Sequence, residues 1–522
     1  MTASVALRDV YPDASLACDL AEGLPRAWKL FAAGPQAVDE VAAARRRERR
    51  AGEAVMKSVC AYNRSLGASE SSLRNAAALA DPGTLCVLSG QQVGFLGGPA
   101  YTAYKILTTL RVAQRLQTQL ATHVVPMFWL ATQDHDFGEI CRAHYIADDG
   151  EVRVVRFDWD GAGRAISDLP LLDGACRAFD QYMQHAVSPR QQGAIAKQLQ
   201  YEGGDDYCRW HARIWTRLFS QHGLVLVDPE TLADPASAFY REALARGGEI
   251  RAALKRGGAS VEQAGYPVAL DLDRAGHLFM RDRRGLRARV PDCAERTLDP
   301  STATLSPDAA LRPLLADTLF PTVANILGPG ELSYHALLRP LYDLFGIHQP
   351  VPQLRLSCTL VTADQERLRT QLELPPTSLV NGTFDVRQAA DRLSPEHLAQ
   401  PFAEARSRIT DVFGTLRPAI METDPQLDRG AQQALHASLH ALDRLRSRAL
   451  RAELARRGTS PQQMQRLRNA VRPRDRLQER TLPIWHFVDR FGSKLTDRLL
   501  VLDRIEEVGH HWLCLEEDDD DG

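Results

Sequence analysis

A buried strand, a glycine-rich loop, a helix and a second buried strand follow one another between residues 85 and 130, and this order constrains the fold most. The apolar run Leu85–Leu88 predicts the first strand, Pro99–Arg115 predicts the helix, and Val124–Leu130 predicts the second strand. Continuous apolar strands of this kind are typical of a parallel sheet covered on both faces. The sequence therefore predicts a doubly wound α/β core, in which the helix crosses from one parallel strand to the next.

With 522 residues the chain is long enough for two or three domains, and the patterns divide it into four segments. They are a helical segment packing on the core (1–80), the core with inserted connecting segments and a hairpin within 266–290 (81–380), a helical arm (381–480), and a closing helix at Ile484–Leu502 that returns to the core, with an acidic tail (481–522). This division rests on composition and periodicity alone.

Apolar residues in the predicted arm recur every three or four positions, which is the spacing of a coiled-coil seam. They are Ile409, Val412, Leu416 and Ile420 in the first half, and Leu435, Leu439, Leu442, Leu445 and Ala449 in the second. The two halves are separated near Thr423-Asp424-Pro425. Pairing within the chain and pairing across a dimer both fit this pattern, and ordinary globular helices are the alternative.

Charge and cysteine usage narrow the class of protein. The net charge of −3 gives no overall attraction to nucleic acid or to an acidic membrane, and the basic run Arg45–Arg50 is interpreted as a solvated helix face. We find neither a signal-peptide pattern at the N-terminus nor an apolar stretch of about 18 residues. Nine cysteines without a C-x-x-C pair indicate reduced thiols. We expect a cytoplasmic globular protein without nucleic-acid or membrane partners.

The segment Ser89–Lys105 is the first candidate for chemistry, because it joins a parallel strand to a helix. Ligands of open α/β sheets gather outside the carboxyl ends of the strands. Gly97 and Gly98 allow a ligand to approach the backbone closely, and the following helix offers N–H groups to an anion. Tyr101 and Lys105 share one helix face. A tight turn before an ordinary helix is the alternative, since the segment matches no standard nucleotide motif.

A second candidate, Asp134-His135-Asp136, comes directly after the second predicted strand. A histidine between carboxylates can act as an acid or base whose charge and tautomer its neighbours set. The alternative for this triplet is a purely structural loop that caps a helix and forms salt bridges. The spacing to Glu139 and His144 matches no standard zinc site, so no metal is predicted there.

The turn Gly328-Pro329-Gly330-Glu331 feeds another helix and is the third candidate. Glu331 in a first helical turn suits the helix dipole, and if it faces a ligand it can hold an ammonium group instead. Carboxylates of a substrate could be gripped by an arginine, for which the candidates are Arg312, Arg339 and Arg355. Cys86 and Cys358 lie in apolar runs and are interpreted as core thiols.

Three blocks together resemble one known family. They are SGQQVGFLGGPAYTAYK, PMFWLATQDHDF, and GPGELSYHALLRPLYDLFG followed by PQLRLSCTLV. The chain resembles the cysteine ligases of bacillithiol biosynthesis, the BshC family, over nearly its whole length, including the arm and the closing LQERTLPIWHFVDRFG. The resemblance implies a Rossmann-like core similar to class I aminoacyl-tRNA synthetases and nucleotidyltransferases, with inserted connecting segments and a coiled-coil arm that forms a homodimer.

The resemblance also implies a reaction and a set of site residues. The reaction joins the carboxylate of cysteine to the amine of glucosaminyl-malate, the last step of bacillithiol biosynthesis. The matching site positions are Gln91, Gln92, Tyr101, Lys105, Asp134, His135, Asp136, Glu331 and Tyr334. This sequence departs from the family pattern at His335, where an aromatic residue, commonly Trp, is expected, and at Gln353-Leu354-Arg355, where a Pro-Arg pair is expected.

Amide formation from a free carboxylate is uphill, so the carboxylate must be activated. ATP with its accompanying magnesium is the simplest expectation. Gly97, Gly98 and Lys105 would then stabilise phosphate charge. His135 would remove a proton from the sugar amine, while Asp134 or Asp136 holds the imidazole ring of His135. Two alternatives stay open: an enzyme that adenylates another amino acid, and a non-catalytic scaffold that keeps the sheet as a ligand pocket.

Overall fold

A five-stranded parallel sheet organises the core of the molecule. The structure is a computed structural model that describes residues 2–13, 15–48, 52–273, 276–291, 295, 298–299, 303–386, 388–389, 396–456, 458–502 and 507–517. The strands are β1 (Thr2–Val5), β2 (Leu85–Gln91), β3 (Val124–Leu130), β4 (Arg142–Ile146), β5 (Val152–Arg156), β6 (Val225–Val227), β7 (Leu278–Arg281), β8 (Arg287–Arg289), β9 (Leu305–Pro307), β10 (Thr322–Leu327), β11 (Val351–Leu354), β12 (Ser357–Val361) and β13 (His510–Cys514).

The helices occur between these strands and make up the arm. They are α1 (Leu7–Val10), α2 (Ser15–Ala21), α3 (Pro25–Trp28), α4 (Val38–Arg47), α5 (Glu53–Ser65), α6 (Glu70–Ala78), α7 (Tyr101–Gln119), α8 (Phe137–Ile140), α9 (Asp173–Ala186), α10 (Gln192–Leu199), α11 (Tyr207–Phe219), α12 (Ala233–Ala245), α13 (Gly247–Gln263), α14 (Leu311–Leu319), α15 (Pro329–His335), α16 (Arg339–Phe345), α17 (Ala363–Gln371), α18 (Pro376–Val380), α19 (Glu396–Thr423), α20 (Asp428–Arg456), α21 (Pro461–Val471), α22 (Ile484–Phe491) and α23 (Leu495–Leu500).

The central sheet has the strand order β11-β10-β2-β3-β6, and all of its neighbouring pairs are parallel. Residues of α4 and α7 cover one face, and residues of α12, α13 and α14 cover the other. The predicted doubly wound α/β core is thereby confirmed. From β2 the chain first adds β3 and β6 on one side, and later adds β10 and β11 on the other. The strand order therefore reverses between β2 and β10, which is where such sheets bind ligands.

Three smaller sheets surround this core. β4 pairs with β5, and β7 pairs with β8 and β9, all antiparallel, so the hairpin predicted within 266–290 is present. A third sheet places β13 between β1 and β12 and joins the two ends of the chain. The prediction of a purely helical N-terminal segment is therefore wrong at β1, because its pairing partner lies at the opposite end of the sequence.

Two further sequence predictions need correction. The helix predicted over Ile484–Leu502 is divided into α22 and α23, since α22 ends at Phe491 and the next residue, Gly492, has a positive φ of 84°. Arg45 is not on a solvated face: it is buried, and it donates to the carbonyls of Phe320 and Thr322 at 2.8 and 3.1 Å. The end of the predicted acidic tail, residues 518–522, lies outside the described residues.

The predicted arm is an antiparallel hairpin of α19 and α20 within one chain. Two ion pairs fix the direction, because Arg406 meets Asp443 while Arg417, further along α19, meets Asp428, which comes earlier in α20. Most of the predicted seam is half-buried between the two helices. Val412, Leu416 and Leu445 instead face outward, with 53%, 47% and 57% of their surface exposed.

Candidate active site

A cavity of about 350 Å³ opens at the carboxyl ends of β2, β3 and β10, at the reversal of strand order. Eight of the residues considered for the site line it: Gln91, Gln92, Tyr101, Lys105, Arg312, Glu331, Tyr334 and Arg355. The cavity therefore brings together the first and third candidate segments, which are more than 200 residues apart in the sequence.

Lys105 and Glu331 form an ion pair at the base of the cavity. The Lys105 ammonium donates to Gly90 O, to Gln91 Oε1 and to Glu331 Oε1, each at 2.7 Å. An ammonium has three N–H donors, so all of them are used inside the protein. Burial acts to raise the pKa of Glu331, but Lys105 and the Gly328 N–H hold it below its usual value. Lys105 therefore fixes the end of β2 to the start of α15 and has no donor left for a phosphate.

A second buried ion pair lies behind Tyr101. Arg355 Nη2 is 2.8 Å from Glu479 Oε1, and only 2% and 0% of these side chains are exposed. Glu479 also accepts from Tyr11 Oη at 2.7 Å and from the Cys358 N–H at 2.9 Å. Burial acts to raise the pKa of Glu479, but Arg355 lowers it below its usual value. Arg355 is held where its guanidinium lies 5.2 Å from the centre of the Tyr101 ring.

Arg480, next to Glu479 in sequence, reaches the same ring from the exposed side. Its guanidinium carbon lies 5.8 Å from the centre of the Tyr101 ring, and both Arg355 and Arg480 line the cavity. Sequence reasoning named Arg355 but missed Glu479 and Arg480. The one available signal was their position in the closing LQERTLPIW block.

The cavity is positively charged. Of the described residues that line it, Lys105, Arg312, Arg355 and Arg480 are cationic and only Glu331 is anionic. Burial acts to lower the pKa of Arg312, but its neighbour Tyr334 and nearby carboxylates raise it above its usual value. His335, the departure from the family pattern, adds no charge at neutral pH, because burial lowers its pKa to about 4.

The triplet Asp134-His135-Asp136 lies beside the cavity and is not part of its wall. It is linked to the wall by Gln92, whose Nε2 donates to Asp134 Oδ2 at 3.2 Å. Arg287 Nη1 lies 2.9 Å from His135 Nδ1. Because a guanidinium can only donate, this contact occupies the Nδ1 lone pair and leaves the proton of the neutral ring on Nε2. The catalytic roles of the triplet stay predictions, and this geometry favours His135 as a donor over a base.

Gly97 and Gly98 also lie outside the cavity wall. Gly97 has a φ of 87°, and a Cβ there would be 2.8 Å from the Trp215 ring. The Gly98 N–H donates to Phe95 O at 2.9 Å, and the Ala100 N–H donates to Leu482 O at 2.8 Å. In this arrangement the loop does not fit a nucleotide phosphate, because these N–H groups are used within the protein. The role of the two glycines in cofactor binding stays a prediction.

Two other candidates have structural positions. Arg339 donates to Lys29 O at 3.1 Å and is not part of the cavity wall. Cys86 and Cys358 are buried core thiols, as interpreted from the apolar runs around them. In the described part of the chain, no three side chains of His, Cys, Asp or Glu lie close enough together to hold a metal ion.

Comparison with known proteins identifies the family. Residues 5–298 and 295–356 match the N-terminal Rossmann-like domain of the bacillithiol biosynthesis protein BshC, and residues 358–515 match its C-terminal coiled-coil domain. The chain belongs to the BshC family. The resemblance inferred from the sequence blocks is thus confirmed, as is a Rossmann-like core followed by a coiled-coil domain.

Two relatives of this BshC chain carry the same name. A protein of Symbiobacterium thermophilum is 30% identical over 492 residues, 86% of this chain and 87% of its own. One of Koribacter versatilis is 29% identical over 463 residues, 84% of this chain and 85% of its own. Both are named "Putative cysteine ligase BshC", which agrees with the prediction of a ligase.

The BshC domain boundary shows that both domains build the cavity. Lys105, Arg312 and Glu331 belong to the Rossmann-like domain, whereas Arg480 belongs to the range matched by the coiled-coil domain. None of the helices in the described residues combines the length and the apolarity needed to cross a bilayer.

Proposed function

We propose that this BshC protein joins the carboxylate of cysteine to the amino group of glucosaminyl-malate, the last step of bacillithiol biosynthesis, in the cytoplasm. The observation that carries the proposal is the charge of the cavity, where Arg312 and Arg480 add positive charge beyond the Lys105–Glu331 and Arg355–Glu479 ion pairs. Both substrates carry carboxylates, since malate has two and cysteine has one. Guanidinium groups are well suited to hold them through paired hydrogen bonds. The names of the relatives support the same reaction.

Two arginines are the groups we assign to carboxylate binding. Arg312 lies on the α14 side of the cavity beside Tyr334, and Arg480 lies at its exposed side beside Tyr101. Lys105 has a positioning role in this proposal, because its three donors are already used. Gln91 supports the same wall, since its Nε2 donates to Tyr101 Oη at 3.1 Å.

Activation of the carboxylate requires a donor of energy, for which we propose ATP with magnesium. The glycine loop does not supply its phosphate site in this arrangement. Cysteine, glucosaminyl-malate and purified protein should give bacillithiol when ATP is added and none without it, as measured by mass spectrometry of the thiol products. Bacillithiol formed equally without nucleotide would contradict the role of ATP.

The same assay separates the alternative functions. Pyrophosphate exchange that depends on an amino acid but not on glucosaminyl-malate would indicate an adenylating enzyme, and complete inactivity with all substrates would favour a scaffold. Arg480→Gln should raise the KM for one carboxylate substrate about tenfold or more, since a charged hydrogen bond is worth about 1.5–3 kcal/mol. Arg476→Gln is the matched control, because Arg476 is exposed on the same segment but is not in the cavity wall.

We also propose that the protein forms a homodimer through the arm. Val412, Leu416 and Leu445 leave apolar surface on the outside of a hairpin whose two helices already pair with each other. A second copy of the arm would remove this surface from water. Sedimentation of Val412→Glu should show a monomer at concentrations where the parent is a dimer. Val501→Glu, at a valine outside the arm that is even more exposed than Val412, should leave the dimer intact.

A further inference from the structure

Asn325 is a cavity residue that the proposed chemistry has not yet used. It lies on the central strand β10, lines the cavity and is only 5% exposed. Its Nδ2 donates to Asp317 Oδ2 at 3.1 Å, and the same oxygen accepts from Tyr342 Oη at 2.5 Å. The side chain is therefore anchored from behind by a buried carboxylate on α14.

The anchor decides which end of the amide faces the cavity. A carboxylate only accepts hydrogen bonds, so the amide must turn its NH2 group toward Asp317. Asp317 cannot easily shift, because Arg45 ties its backbone carbonyl to those of Phe320 and Thr322. Oδ1 of Asn325 is left as the outer atom, and no residue in the described part of the chain donates to it.

Oδ1 is not among the fully buried, unpaired side-chain atoms of the described residues, so it opens on the cavity that Asn325 lines. Two other acceptors of the wall have partners inside the protein: Glu331 accepts from Lys105, and Ser89 accepts from Thr109 at 2.7 Å. The remaining charged groups of the wall are cationic donors, which repel an amine. Asn325 thus offers an anchored, neutral acceptor to a donor group of a substrate.

We propose that Asn325 Oδ1 accepts a hydrogen bond from an amino group of a substrate, with Asp317 as the positioning residue that sets the orientation of the amide. The inference rests on the proposed function, in which two amino groups qualify: the α-amino group of cysteine and the amine of the sugar. Each is an N–H donor on a molecule that also carries a carboxylate, and binding measurements can show which of the two amino groups Asn325 accepts from.

The test compares each substrate with a counterpart that lacks the amine. Calorimetry measures the Kd of cysteine against 3-mercaptopropionate, and of glucosaminyl-malate against its 2-deoxy sugar counterpart. In the parent protein the amine form of one pair should bind about 10- to 100-fold more tightly. Asn325→Leu should abolish that preference, and Asp317→Asn, which lets the amide turn, should reduce it. Loss of the preference for cysteine alone or for the sugar alone identifies the source.

Asn469→Leu is the matched control, because Asn469 is nearly as buried but bonds to Gly150 O and lies outside the cavity wall. It should keep the preference even if its thermal stability falls. An unchanged preference in Asn325→Leu, or a parent protein without any preference, overturns the inference. A parent that shows the preference but makes no bacillithiol overturns the proposed ligation and leaves the role of Asn325 supported.

Discussion

Replacing Glu479 by glutamine should destabilise the protein and disturb the cavity at the same time. Glu479 is fully buried and accepts hydrogen bonds from Arg355, Tyr11, Ser357 and the Cys358 N–H. Glutamine has the same shape, but it removes the charge and turns one acceptor oxygen into a donor that faces other donors. Arg355 cannot escape by losing its proton, because a guanidinium stays charged in proteins.

The expected loss follows from the burial of both partners. Removing one member of a buried ion pair costs about 3–5 kcal/mol, since the other charge stays unpaired. Asp443→Asn in the arm is the matched control. It breaks an N–O contact of 3.0 Å with Arg406, but about half of each side chain is exposed. Exposed pairs of this kind contribute about 1 kcal/mol or less.

Urea unfolding, followed by both tryptophan fluorescence and circular dichroism, measures the two losses, provided that the transitions coincide. The pKa of Glu479 is lowered by folding, so its stabilisation is present above the unfolded value of about 4.3 and is lost as the pH falls through the folded value. The difference between parent and Glu479→Gln should therefore be full at pH 7 and shrink below pH 4.3. A loss under 1 kcal/mol at pH 7, equal to that of Asp443→Asn, would refute the reasoning.

Three further changes test other parts of the site. Gly97→Ala should lower the free energy of unfolding, measured in urea, by about 1–3 kcal/mol, because the φ of Gly97 is 87° and a Cβ would meet the Trp215 ring. Gly430→Ala, at an open position of α20, is the control and should be neutral or slightly stabilising. His135→Ala should slow product formation less than about tenfold, because Arg287 occupies its Nδ1; a loss of 10²–10⁴ would restore the general-base role. As the pH falls from 6.5 to 4, His335→Phe should lose less stability than the parent, because burial lowers the pKa of His335 to about 4 and the unfolded chain takes up the proton first. Urea titrations at pH 7 and pH 5 measure this, and an equal fall in the free energy of unfolding for parent and variant would contradict it.

The parts of the fold that local pattern could predict are those with strong periodicity and nearby partners. β3 has the predicted bounds, and the hairpin of β7 and β8 lies where alternation and turn residues indicated. β1 was missed because four residues give little periodicity and their partner β13 is at the other end of the chain. The break between α22 and α23 depends on one glycine, which a long apolar periodicity outweighed.

The site residues also divide into those that local sequence pattern could predict and those that it could not. Lys105 and Glu331 could be predicted because each sits where a strand or turn feeds a helix, and parallel strands bring such positions to one edge. Asn325 lies inside an apolar strand, so the sequence gives no sign that its side chain reaches a cavity. Arg480 could not be placed either, because its position depends on how the end of one domain packs on the other.

That packing explains why the cavity needs the coiled-coil domain. Leu482 O accepts from the Ala100 N–H, and Trp485 Nε1 donates to Leu96 O at 2.8 Å, so the segment carrying Arg480 is fastened to the glycine loop. Glu479 on the same segment neutralises Arg355, which belongs to the Rossmann-like domain. Without this segment Arg355 would lose its buried carboxylate partner, and the Ala100 N–H just before α7 would lose its acceptor. Contacts between the two domains therefore fasten the glycine loop and complete the charge pattern of the cavity.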